Sequence, residues 1–328
     1  MIQSSTPGAS PSRWRLIAAF AAIYLVWGST YVAIRFAVET VPPFFMGAVR
    51  FTLAGLIMIV WARASGAPAP TRSNWRAAII TGFMLFMLNN GGLVWASQFV
   101  PSGMAALLIG ATPLWMVLLD WWRPSIHGRK PGGIRPSNTV FAGLLIGFFG
   151  ILLLVNPSGL ADAGHEYAVG VVVILLASVA WAAGSIYSRQ SDQPASPILA
   201  TGMQLLSGGL MLMLASAVAG EIASLNIAAI TPRSAVSWLY LAVFGSIIGF
   251  GSYVWLLRVT TMARVATYAY VNPVVAVFLG WALANEPVTL RTIIAAAIII
   301  AAVMMINSAR TRAAAPRKPS LAASESRI

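Results

Sequence analysis

"WGSTYVAIR" at Trp27–Arg35 and "WAAGSIYSR" at Trp181–Arg189 are two copies of one pattern, an apolar run that opens on tryptophan and ends on arginine. Further landmarks follow each copy in the same order. "RFTLAG" from Arg50 is answered by "QLLSGG" from Gln204, Trp95 by Trp255, and Thr112-Pro113 by Asn272-Pro273. Trp181 and Gln204 lie 154 residues after Trp27 and Arg50, and Trp255 and Pro273 lie 160 after Trp95 and Pro113. The chain therefore reads as an internal repeat, and the apolar stretches around these landmarks decide what each unit is.

A helix that crosses a bilayer needs about 20 mostly apolar residues. Ten windows meet this: 16–36, 44–62, 75–97, 102–121 and 138–155, then 169–188, 197–219, 235–257, 264–284 and 290–307. Each repeat holds five, an odd number, so the second unit sits upside down relative to the first. Inverted repeats around a midplane site are a common plan of secondary transporters. The expected fold is an all-α polytopic membrane protein, with ten transmembrane helices in two inverted five-helix repeats. The first repeat spans 13–156 and the second 169–308, joined by an outer linker at 157–168. Polar, basic tails at 1–12 and 309–328 are expected to be disordered.

Composition supports a bilayer solvent. Of 328 residues, 59% are hydrophobic and 9% are charged, against about 25% charged in soluble domains. The net charge of +13 does not point to nucleic acid, because the basic residues sit in short connections between apolar runs. With the N-terminus in the cytoplasm, the loops and tails on that side hold all 21 Lys and Arg residues except Arg35, Arg50, Arg233 and Arg291. The positive-inside rule then places both termini in the cytoplasm, in a bacterial inner (plasma) membrane. The first apolar run is too long for a signal-peptide core. Cysteine is absent, which excludes disulfides and thiolate metal sites. His127 and His165 both fall in loops, so neither a metal nor any other cofactor is expected. A membrane enzyme would need clustered His, Asp and Glu, and a channel would need a filter loop or charged ring; neither is present.

Several residues are candidates for a transport pathway. Trp27, Tyr31 and Arg35 share one helix face, as do Trp181, Ser185 and Arg189. Polar-aromatic stripes in a membrane helix face the bundle interior; the alternative is an interfacial aromatic belt. Asn89, Asn90, Trp95, Trp255, Tyr268 and Asn272 are candidate cavity residues. Aromatic walls suit an ammonium group or an apolar side chain. The neighbouring glycines and serines read mainly as close-packing positions. Pro113 and Pro273 each deprive a carbonyl, Ile109 or Ala269, of its helical donor, and are candidate hinges; a kink that only shapes packing is the alternative. Arg50 lies inside the second span and needs a partner or a water-filled cavity. Glu39 and backbone carbonyls are candidate partners, and an anionic substrate is the alternative. Glu286 and Asp120, near span ends, are the possible coupling groups.

The segments "WGSTYVAIRFAVETVPPFFMGAVRF", "VPSGMAALLIGATPLW", "FGSIIGFGSYVWLLR" and "ATYAYVNPVVAVFLGWALANEPV", in this order and on a five-plus-five plan, resemble the EamA-type permeases of the drug/metabolite transporter superfamily. The resemblance covers about residues 14–307. It implies ten helices around a central cavity and, as in many bacterial members, export of amino acids or other small metabolites. The family often carries a Gly-Glu pair after the fourth span of each repeat. Here the second repeat has Asn285-Glu286, and the first has the basic loop from Arg123 instead. The expected activity is alternating-access export of small metabolites, amino acids or related compounds, by facilitated diffusion or exchange. A proton-coupled transporter of drugs, sugars or nucleotides is the alternative. Expected partners are the small-molecule substrate and the lipid bilayer, with no nucleic acid, in a monomer or weak homo-oligomer.

Overall fold

Ten long helices follow one another in the computed structural model, which describes residues 12–122, 136–157, 164–265 and 267–314. They are α1 (Arg13–Ala37), α2 (Pro43–Ala64), α3 (Arg72–Ala96), α4 (Ser102–Trp122), α5 (Asn138–Val155), α6 (His165–Ser188), α7 (Pro197–Val218), α8 (Pro232–Leu256), α9 (Tyr268–Ala284) and α10 (Leu290–Ala314). Among the described residues, nine have the length and hydropathy to cross a membrane, and α9 is a shorter apolar helix of 17 residues. With ten alternating spans, the start of α1 at Arg13 and the end of α10 at Ala314 lie on one side, the terminal face; the opposite side is the far face. Large apolar side chains such as Leu214, Val218 and Phe278 point outward, as lipid contact requires.

Helix starts explain their own positions. Thr71 accepts from the Asn74 amide and Asn74 returns the bond, a capping box at the start of α3. The hydroxyls of Ser137, Ser196 and Thr231 cap α5, α7 and α8 in the same manner. Three helices contain widened π-helical stretches: Ala22–Val26 in α1, Phe83–Gly91 in α3 and Leu241–Ile248 in α8. Those in α3 and α8 occupy corresponding places in the two repeats. Such stretches are rare and concentrate at functional sites.

The repeats pack counterpart to counterpart, α2 on α7, α4 on α9 and α5 on α10. In addition, α1 packs on α8 and α9, and its counterpart α6 packs on α3 and α4. Helix α2 meets α7 backbone to backbone: a Cβ on Gly55 would lie 2.5 Å from the Leu206 amide nitrogen and 2.8 Å from the Gly202 carbonyl oxygen.

Some boundaries differ from those read off hydropathy. Helix α6 reaches back to His165, into the expected linker, because Glu166 in its first turn suits the helix dipole. Helix α10 runs on to Ala314, past the apolar window and into the expected tail. The ninth span starts at Tyr268, and Met262–Val265 forms a separate short helix. Most of the loop from Arg123, with His127, lies outside the described residues, as do residues 1–11, 158–163 with Asp162, and 315–328. Substituting Gly55→Val should drive α2 off α7, an overpacking cost of about 1–3 kcal/mol. The expected outcome is a lower melting temperature in detergent, while Leu56→Val, on the outward side, should leave it unchanged.

Candidate functional site

The aromatic side chains of both repeats meet where α1 and α2 face α8 and α9. Trp27 donates its indole N–H to the Gly245 carbonyl at 3.1 Å. Its ring lies 5.3 Å from Phe250, 5.4 Å from Tyr253 and 5.2 Å from Tyr268. The chain of rings continues from Phe250 to Phe86 at 5.9 Å and from Phe86 to Phe51 at 5.0 Å. Five helices, α1, α2, α3, α8 and α9, thus supply one connected aromatic wall. Gly249 makes room for it, since a Cβ there would collide with the Trp27 indole nitrogen.

Arg50 stands at one end of this wall and is only 5% exposed. It lies seven residues inside α2, about 10 Å below the far face at 1.5 Å per residue. Its Nε donates to the Ser246 hydroxyl at 2.8 Å, and its guanidinium lies 4.7 Å from the Phe51 ring. Among the described residues no carboxylate pairs with it. Glu39, the partner suggested by sequence, instead faces Arg233 in the first turn of α8 at 3.8 Å, at the far face and away from the guanidinium buried in α2. Placing an arginine at mid-helix costs about 2.5–3.5 kcal/mol on insertion scales, and a single hydroxyl and one aromatic ring face compensate only part of it.

The remaining candidates divide between this wall and other places. Tyr268 belongs to the wall, and Trp255 packs near it with Ile23 and Leu256. Asn272 is buried beside α1, its carbonyl 3.3 Å from where a Gly28 Cβ would stand. Trp181 packs against the buried cluster that contains Leu85, Phe86 and Leu205. Asn89 donates across the repeat boundary to the Ala177 carbonyl of α6 at 2.8 Å, whereas Asn90 donates to Leu85 within its own helix at 2.8 Å. Tyr31 and Trp95 pack against the large apolar core, Trp95 edge-on to Phe99 at 5.2 Å. Arg35 donates to the Ser97 and Gln98 carbonyls at 2.9 and 2.8 Å, closing the C-terminal end of α3. The wall residues Phe51, Phe86 and Phe250 are absent from the sequence candidates, because a phenylalanine in an apolar helix looks like any core residue. The adjacency of Phe51 to Arg50 was the available signal.

The prolines have unequal effects. Helix α4 breaks at Ala111, just before Pro113, and the Thr112 hydroxyl donates to the freed Ile109 carbonyl at 2.6 Å. Helix α9 continues through Pro273. The two helices cross there, with Pro273 Cγ 2.9 Å from a Cβ placed on Gly110.

The two possible coupling groups also differ. Asp120 is half-buried near the terminal-face end of α4. Glu286 is engaged: its carboxylate accepts from the Ser102 amide at 2.6 Å, the Ser102 hydroxyl at 3.0 Å and the Gly103 amide at 3.0 Å. It caps α4, whose own N-cap residue, Pro101, has no acceptor side chain. Glu221 does the same for α2, accepting from Phe44 at 3.2 Å and Phe45 at 2.8 Å behind the N-cap Pro42. Glu286→Ala should remove a charge-assisted cap worth about 1–2 kcal/mol. Lower thermal stability, with Glu286→Gln intermediate between the variant and the parent, is the expected result.

Residues 13–156 and 168–308 each match the EamA-like transporter family. The inner membrane transporter YedA of Escherichia coli K12, itself described as uncharacterized, is 34% identical over 294 residues, covering 89% of this chain and 90% of its own. A probable amino-acid metabolite efflux pump of the same organism is 24% identical over 276 residues, covering 81% and 86%. One solved crystal structure superposes with a TM-score of 0.60 at 19% identity, covering 92% of this chain and 100% of its own, a likeness of fold. With two family matches that together span most of its length, the chain belongs to the EamA-like transporter family.

Proposed function

We propose that this transporter exports small metabolites, amino acids or related compounds, across a bacterial inner membrane by alternating access. One observation carries the reading: the buried polar and aromatic groups of one repeat find their partners on the other. Trp27 reaches Gly245, Arg50 reaches Ser246 and Asn89 reaches Ala177. A site assembled from both repeats changes shape when one rocks against the other, which is what alternating access needs. The printed function of the efflux-pump relative supports the substrate class. The engagement of Glu286 as a helix cap favours facilitated diffusion or exchange over proton coupling. In this reading both termini are cytoplasmic, so the far face is periplasmic.

Purified protein in proteoliposomes should take up labelled amino acids saturably and without regard to an imposed pH gradient. A strict need for the gradient would indicate a proton-coupled carrier, and no uptake of any amino acid would reject the substrate class. Trp27→Ala should lower transport by roughly tenfold or more, since each aromatic contact is worth about 0.5–1.5 kcal/mol. Asn272→Ala should also impair it, with both variants still monodisperse. Unchanged transport in both would remove this site. A C-terminal reporter that is active only in the cytoplasm should be active when fused after Ile328.

A further inference from the structure

We propose that Arg50 receives the carboxylate of the transported metabolite, with the aromatic wall taking the apolar remainder. The inference rests on the transporter reading above and names the chemistry of that same site. An arginine offers five N–H donors in a planar fork. Here Nε is satisfied by Ser246, and neither terminal nitrogen donates to a protein acceptor among the described residues. Such a group is matched by a planar two-oxygen anion, which bridges two parallel N–H bonds.

Gly245 lies against the guanidinium; a Cβ there would be 3.0 Å from Nη2 and 3.2 Å from the Thr30 methyl. A larger residue at Gly245 would occupy the approach to the fork. The carbonyl of the same glycine accepts from Trp27, so the guanidinium and the indole stand on either side of one backbone unit. A carboxylate on Arg50 therefore directs the rest of its molecule toward Trp27 and Phe250. Gly245 and Ser246, the two α8 residues against the guanidinium, both fall within its π-helical stretch Leu241–Ile248. A concavity of about 540 Å³ between α4, α9 and α10, lined by residues such as Leu107, Phe278 and Ile300, is almost entirely apolar, with Thr292 its one hydroxyl, and Arg50 is not part of its lining. It has no group to hold a charged substrate.

The test compares L-leucine and L-phenylalanine with their methyl esters, which lose the anion and keep the rest. Thermal stabilisation of the detergent-solubilised full chain reads binding. The acids are expected to raise the melting temperature of the parent protein, and the esters to bind about tenfold more weakly or worse. Arg50→Gln should abolish the response to the acids, and Arg50→Lys should retain part of it. Equal stabilisation by acid and ester overturns the proposal, as does a folded Arg50→Gln variant that still responds to the acids. Should that variant fail to fold, the acid–ester comparison on the parent protein decides alone. No response to either acid also overturns it. Uptake of those same acids in proteoliposomes would then leave the transporter reading standing, while absence of uptake would remove both.

Discussion

In hydrocarbon no backbone N–H or C=O can be left without a partner, and the joins between helices in this protein follow from that rule. Helices α2 and α4 begin behind Pro42 and Pro101, residues that cannot cap them. Their exposed amides are met by Glu221 and Glu286, both from the second repeat. At Pro113 the freed carbonyl of Ile109 takes a hydroxyl from the next residue but two, Thr112. These three irregularities at proline are each answered by a specific polar side chain, and two of those answers bind the repeats together.

The same constraint makes the buried arginine informative. Its counterpart in the second repeat, Gln204, is neutral and donates to Gln193 at 3.2 Å and Ser188 at 3.5 Å. The pseudo-symmetry therefore holds in backbone and fails in charge. At this position only the first repeat carries a guanidinium, and the aromatic wall beside it draws Phe250, Tyr253 and Tyr268 from the second. A bundle with twofold-like helices thus places one buried charge at the end of one aromatic wall, an asymmetric arrangement.

The fold was legible because hydropathy and repeat spacing are properties of long stretches. Twenty apolar residues have few alternatives to a spanning helix, and Trp27 and Trp181 mark the register of the copies. Partners are decided by three-dimensional proximity, and there the pattern is less informative. Arg50 announces itself as a charge in an apolar helix, but nothing local points to Ser246, almost two hundred residues away. Glu286 stands near a span end and resembles a titratable group; only the fold reveals the α4 amides that it holds. The π-helical stretches have no pattern in the one-dimensional record, since the residues that compose them suit an ordinary helix equally well.

The position of the two glutamate caps has a mechanical consequence. Both lie at the far face, where water is the neighbour, instead of at the depth of Arg50. Parting the repeats there would exchange a carboxylate for water as the acceptor of each amide, a trade between partners of similar kind. The same caps placed at mid-bilayer would have nothing to replace them, and separation would be prohibitive. The molecule is therefore clasped at an edge where the clasp can be undone and remade.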